Sequence, residues 1–219
     1  MRRNSLLLAP LLFGLAACAT VPMVKMPIEV PSVPPVRWDS IRTVVFSGFF
    51  LEKEAPGFNL DRALVDYFRE AMKTGFKGAL IEVPIAWAGA DSLADKAFWK
   101  GKGGAGEGFL ILTGKTSLVQ ETRKALVGGD RRAIDEGPFG PRNPWSEKRA
   151  FVFTLDLALL DSASGEALFR KNYMETLVSE NLRQSAEFAL SDILGRIGPR
   201  IIRSFFGAGR PQERFLLTR

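Results

Sequence analysis

The chain is predicted to fold as an α+β two-layer sandwich in the order β-α-β-β-β-α, with a mainly antiparallel sheet and two helices on one face. Three observations lead there. Apolar residues recur at helical 3.6-residue spacing in two long segments, one early and one late. Between and before them lie short runs of β-branched and aromatic residues bounded by turn signals. A length of 219 residues with 46% hydrophobic and 25% charged positions suits one domain with a sizeable core.

Taken in order, residues 1–17 hold Arg2-Arg3, an apolar run from Leu6 to Leu15 interrupted by Pro10 and Gly14, and Ala16-Ala17. A positive start, a short apolar stretch and small residues form an export signal peptide. About ten apolar residues are too few to span a bilayer, which needs roughly 20 in a helix. Residues 18–36 contain five of the thirteen prolines and read as a tether. Extended near polyproline II, it would reach roughly 55 Å at about 3.1 Å per residue.

The domain is expected over residues 37–206. Ile41 to Phe50 is its first strand, and Pro56-Gly57 marks a loop. Asn59 then caps a helix whose apolar face is Leu60, Ala63, Leu64, Tyr67, Phe68, Ala71 and Met72, with Gly75 at the C′ position. Ala79 to Pro84 is a second strand, and Asp91 to Lys100 a small helix before a flexible glycine-rich stretch at 101–107. Gly108 to Gln120 is a third strand. Ala150 to Leu160 is a fourth, its odd positions Phe151, Phe153, Leu155, Leu157 and Leu159 facing the core and Thr154, Asp156 and Ala158 facing water. The turn Asp161 to Glu166 returns the chain as a fifth strand, Ala167 to Val178. Asn181 opens the last helix, which runs through Leu190 and Ile197, bends or breaks at Gly198-Pro199 and resumes toward Phe206. Residues 207–219 are expected to form a tail that is frayed or loosely docked, and the apolar Val21, Met23, Met26 and Ile28 leave open that part of the tether packs on the domain.

Histidine is absent and Cys18 is the sole cysteine, which excludes imidazole bases, Ser-His-Asp and Cys-His nucleophiles, and His/Cys zinc sites. No motif calls for a cofactor or a metal. Gly101 to Gly106 matches G-x-G-x-x-G, but a strand rather than a helix follows it, so it cannot cradle pyrophosphate in the dinucleotide manner. Gly114-Lys115-Thr116 follows a strand rather than a phosphate-binding loop. The acids Glu52, Glu54, Asp61, Asp135 and Glu136 fall in or near predicted loops without a spacing that singles out a glycosidase pair.

Two stretches have the chemistry of binding. The loop 127–149, long for a connection between strands, mixes Arg131, Arg132, Arg142 and Arg149 with Phe139 and Trp145, the composition of interface hot spots. Arg196, Arg200 and Arg203 recur at i, i+4 and i+7, a stripe opposite Ile197 and Ile201 that is either a solvated face or a contact for lipid phosphates or an acidic partner.

Leu15-Ala16-Ala17-Cys18 resembles the lipobox of bacterial lipoprotein signals. The resemblance implies that Cys18 becomes the acylated first mature residue, bearing chains such as palmitate, and that Ala19, in place of aspartate, sends the protein to the outer membrane facing the periplasm. Removal of residues 1–17 takes two arginines and no acid, so the formal charge falls from +6 to +4. In the envelope such mild basicity points away from nucleic acid and toward anionic lipid or an acidic protein face. The helix ending Gly75-Phe76 and the hairpin LDLALLDSASGEALFRKNY, with the tether, resemble small envelope lipoproteins of the penicillin-binding-protein-activator, curli-secretion and lipopolysaccharide-assembly type. The expected function is a non-enzymatic adaptor in envelope assembly or activation of cell-surface machinery, binding an envelope protein or glycolipid through the 127–149 loop and the exposed sheet face. The alternatives are a lipopolysaccharide or anionic-lipid binder and a carboxylate-dependent cell-wall hydrolase.

Overall fold

The computed structural model describes residues 23–30, 34–55, 57–104, 106–126, 145–207 and 210–217, arranged as two units, residues 33–208 and residues 1–32 with 209–219.

The larger unit is an α+β fold around a five-stranded mixed sheet. Its strands are β2 (Thr43–Lys53), β3 (Ala79–Glu82), β4 (Phe109–Leu126), β5 (Trp145–Asp161) and β6 (Ala167–Ser179), in the spatial order β3-β2-β4-β5-β6. That is one strand more than the order β-α-β-β-β-α spells out. Strands β3 and β4 run parallel to β2, while β5 and β6 follow as antiparallel hairpins. The two long helices, α1 (Leu60–Lys73) and α3 (Ala186–Phe206), lie on one face and share a core with Val44, Phe46, Leu110, Leu112 and the odd residues 151–159. Because β2 is central, Val44, Val45 and Phe46 are all buried, and it reads as a continuous apolar run rather than an alternation.

Gly48 takes φ +86° and opens a bulge that shifts the β2–β4 register between Phe46 and Phe49, returning Phe49 to the helix face. The bulge exposes the Phe49 N–H, which donates to Asp61 Oδ1 at 2.6 Å and so ties β2 to the first turn of α1. Burial pushes the Asp61 carboxyl above its ordinary range, with the Phe49 N–H opposing and Glu82 adding repulsion. A raised folded-state value means that the native state holds this proton more tightly than the unfolded chain. Its contribution to stability is therefore full below the unfolded value and is lost as pH rises through the folded one. Asp61→Asn keeps the acceptor and removes the charge, so its stability relative to the parent is expected to rise across the weakly acidic range; parallel stability curves would contradict this. Asp61→Ala strands the Phe49 N–H and is expected to cost about 1–3 kcal/mol.

Asn59 caps α1 by accepting from Arg62 N at 2.9 Å. Gly75 is not a left-handed cap: it lacks a positive φ, and a Cβ there would lie 2.7 Å from the Phe206 ring, so glycine is required by close approach. The last helix starts at Ala186, later than Asn181, because the Ser185 hydroxyl accepts from Phe188 N while Asn181 closes a turn on Arg183 N. It passes through Pro199 unbroken and ends at Gly207, φ +69°. The carbonyl that Pro199 leaves without a helical donor belongs to Gly195, which is exposed and open to water.

The second sheet face is covered at one end. A 3₁₀ turn (Ala90–Ala94) and the short helix α2 (Lys96–Trp99) bury Leu93 and Trp99 against Ile111, Ala158 and Leu160, so Ala158, expected to face water, is buried while Thr154 and Asp156 are half-exposed. The glycine stretch expected to be flexible is pinned, for Gly101 N donates to Ser162 O at 2.7 Å and Gly103 N to Ser162 Oγ at 3.1 Å.

The smaller unit is an antiparallel pair, β1 (Met23–Val30) with β7 (Arg210–Leu217), in register from Met23 opposite Leu217 to Val30 opposite Arg210. Residues 23–30 and 210–217, within the stretches read as tether and tail, thus each hold a strand that the sequence reading did not assign. Val24, Met26, Ile28 and Val30 alternate with Lys25, Pro27 and Glu29; each strand of a two-stranded ribbon has one unpaired side, where a missing proline N–H costs no ladder bond.

Candidate functional site

The long strands β4 and β5 stay paired to the rung Leu126 opposite Trp145, whereas β2 leaves β4 at Ser117 and β6 leaves β5 at Arg149. Beyond Thr122 and Arg149 the hairpin is therefore a two-stranded arm of four residues on each strand, roughly 13 Å at 3.3 Å each. Gln120 to Lys124 are exposed along this stretch of β4, with Arg123 paired to Glu121 at 2.8 Å.

This arm shortens the expected loop. Trp145 is the first residue of β5, and Arg149 lies within that strand opposite Thr122, so the connection is 127–144 and not 127–149. An arm with little buried face needs no apolar alternation, which is why Trp-Ser-Glu-Lys-Arg did not read as strand. Arg149 is structural: its guanidinium donates to Gln184 O at 3.0 Å while its Nε is buried without a partner. Arg131, Arg132, Phe139 and Arg142 lie outside the described residues, as does Cys18. Of the loop residues named from sequence, Trp145 and Arg149 are thus placed, both on β5, while the stripe on α3 belongs elsewhere.

That stripe lies to one side of α3 rather than squarely opposite the core. Arg200 reaches Glu175 of β6 at 3.5 Å, and Arg203 Nε donates to Pro199 O at 3.1 Å. On the uncovered part of the sheet, Asp156 accepts two bonds from the Arg170 guanidinium, at 3.1 and 2.6 Å, and Lys115 stands 3.7 Å from Glu52. Ser117 Oγ and Thr154 Oγ1 share a hydrogen bond of 2.8 Å. The sheet face is polar and internally paired, so it offers few charges awaiting a partner. Of the acids weighed for hydrolysis, Asp61 is committed to the β2 bulge, Glu52 faces Lys115, Glu54 is exposed, and Asp135 and Glu136 lie outside the described residues. Among the described residues no cluster of three metal-ligating side chains occurs, and no helix is long and apolar enough to cross a membrane.

An open groove of about 640 Å³ also lies where the chain enters the larger unit, lined by Pro34, Val36, Trp38, Thr74, Ile202 and Phe206 among others. Trp38 donates to Phe205 O at 2.7 Å and packs 4.8 Å from the Phe206 ring. The sequence signal for it was an isolated tryptophan beside the last tether proline.

No protein-family model and no curated protein matches the chain. Among solved structures it is similar to the PelC dodecamer from Paraburkholderia phytofirmans, at 10% identity over 85% of this chain and 99% of that one, with a TM-score of 0.38. It is similar to the hypothetical protein CT253 from Chlamydia trachomatis, at 11% identity over 76% and 98%, with a TM-score of 0.40. It is also similar to the lipoprotein GNA1162 from Neisseria meningitidis, at 11% identity over 72% and 99%, with a TM-score of 0.33.

Proposed function

We propose that this chain is a lipid-anchored protein of the bacterial envelope that works as a binding module without catalysis. Residues 1–17 direct export, acylated Cys18 holds the molecule at a membrane, most simply the outer membrane with the domain in the periplasm, and the larger unit engages an envelope protein or glycolipid. The observation that supports this reading is the arm: the last four of seventeen β4–β5 rungs carry the chain past the rest of the sheet to the 127–144 connection. A paired arm presents a loop with less ordering cost than a free one, and the loop supplies aromatic and arginine side chains of the kind that dominate interfaces.

The test is replacement of Phe139 and Trp145 by alanine. Each hot-spot aromatic is worth more than 1 kcal/mol, so partner capture is expected to fall by about tenfold or more while the circular dichroism spectrum and melting temperature stay those of the parent. Capture equal to that of the parent would refute the assignment of the arm tip.

A further inference from the structure

The strand β6 is the last of the sheet, thirteen residues long and free of proline, and its pairing to β5 is uninterrupted from Phe169 to Ser179. Among the described residues no strand pairs with its outer side. The opposite edge, β3, has four residues. A long, regular edge is a row of main-chain donors and acceptors that natural proteins blunt unless it is used.

The side chains around this edge differ by face. Away from the helices, Met174 and Val178 are 67% and 51% exposed, set among Arg170, Asn172 and Thr176, and Leu168, 42% exposed, lies at the register shift that begins the strand. On the helix side Lys171 is exposed and Arg200 reaches Glu175. At 3.6 residues per turn, Arg196 and Arg203 sit about 40° and 60° around α3 from Arg200, on one side of it. On the helix side the edge thus has Lys171 and Arg200, the latter paired with Glu175, while Arg196 and Arg203 continue the stripe farther from the buried face of α3, with Asp192 one turn before Arg196.

We propose that the β6 edge and the α3 arginine stripe together take up an extended acidic segment of another polypeptide as an added β-strand. Its main chain would extend the sheet, its carboxylates would point to the arginines, and alternate apolar residues would rest on Leu168, Met174 and Val178. This surface is separate from the arm. A second copy of the chain fits poorly, because pairing β6 with β6 about a two-fold axis brings two arginine stripes together. An anionic bilayer would meet the arginines but leave the main-chain edge unused.

The test uses the mature chain carrying Cys18→Ser, so that it stays in solution, and a fluorescent twelve-residue peptide with glutamate at every second position and valine or threonine between. Saturable binding is expected, weakening about tenfold as salt rises from about 0.05 to 0.3 M. The double variant R196E/R203E, altered at exposed positions, is expected to bind about tenfold more weakly. Copies of the peptide N-methylated at alternate amides, in either phase, should lose binding in at least one phase, and the lysine counterpart should not bind. Four results would overturn the proposal: binding of both N-methylated copies as tight as that of the parent peptide, indifference to R196E/R203E, an arginine-dependent attraction to phosphatidylglycerol vesicles with no binding of the peptide, or a dimer of the chain that occupies the edge. Since neither Phe139 nor Trp145 enters this assay, its failure would leave the arm untouched.

Discussion

Trp99→Ala is expected to lower the unfolding free energy by about 3–5 kcal/mol, the cost of deleting a large aromatic side chain from a filled site. Trp99 is fully buried, donates from Nε1 to Ser92 O at 2.7 Å, and meets the rings of Trp87 and Phe98 edge-on at 5.2 and 4.9 Å. It is the largest side chain of a small core built from Leu93, Ile111, Ala158 and Leu160 on the face opposite the long helices. Removing it takes one of two donors from the Ser92 carbonyl, which keeps the Asp95 N–H at 3.1 Å, and empties the centre of the small core that holds segment 85–104 on the sheet. Urea unfolding with an unchanged slope measures the loss. A cost below about 1 kcal/mol, no more than the usual effect of a point substitution, would show that this segment does not close the sheet as described.

The second large effect concerns location. Cys18→Ala is expected to move the protein from the membrane pellet to the soluble periplasmic fraction. Buried acyl chains supply about 0.8 kcal/mol per CH₂, and several chains are needed for stable anchorage. Without them, what holds the mature chain is its net charge of +4, and surface attraction of about 1 kcal/mol per basic residue is released by salt. Full retention of the alanine variant after a high-salt wash would show that another segment anchors the protein.

How far the sequence could be read depended on burial. Helix α1 was legible because Leu60, Leu64, Phe68 and Met72 all face one core, and Asn59 caps it as its side chain suggested. The odd residues of β5 from Phe151 to Leu159 were legible for the same reason. The arm was not, since Glu121 to Lys124 and Glu147 are exposed and impose no period of two. The ribbon of β1 and β7 was hidden twice over, by prolines that suppress a strand reading and by a partner nearly two hundred residues away. The sequence suggested a small helix around Trp99 but not the core it fills, because that core is made by two strands and a 3₁₀ turn far apart in sequence. For the site, the aromatic and basic composition of the loop was visible, whereas its support was not, and the stripe Arg196, Arg200 and Arg203 was visible as a periodicity without its position beside β6.

The most direct measurement places a photoreactive amino acid at Trp145, where the arm ends, in intact cells expressing the chain with Cys18 in place, and another at Lys73, at the far end of α1, as a control. The account predicts a discrete adduct from position 145, with an envelope protein or a glycolipid, that is absent from position 73. No adduct from position 145 in a folded, membrane-associated protein, or the same products from both positions, would contradict it.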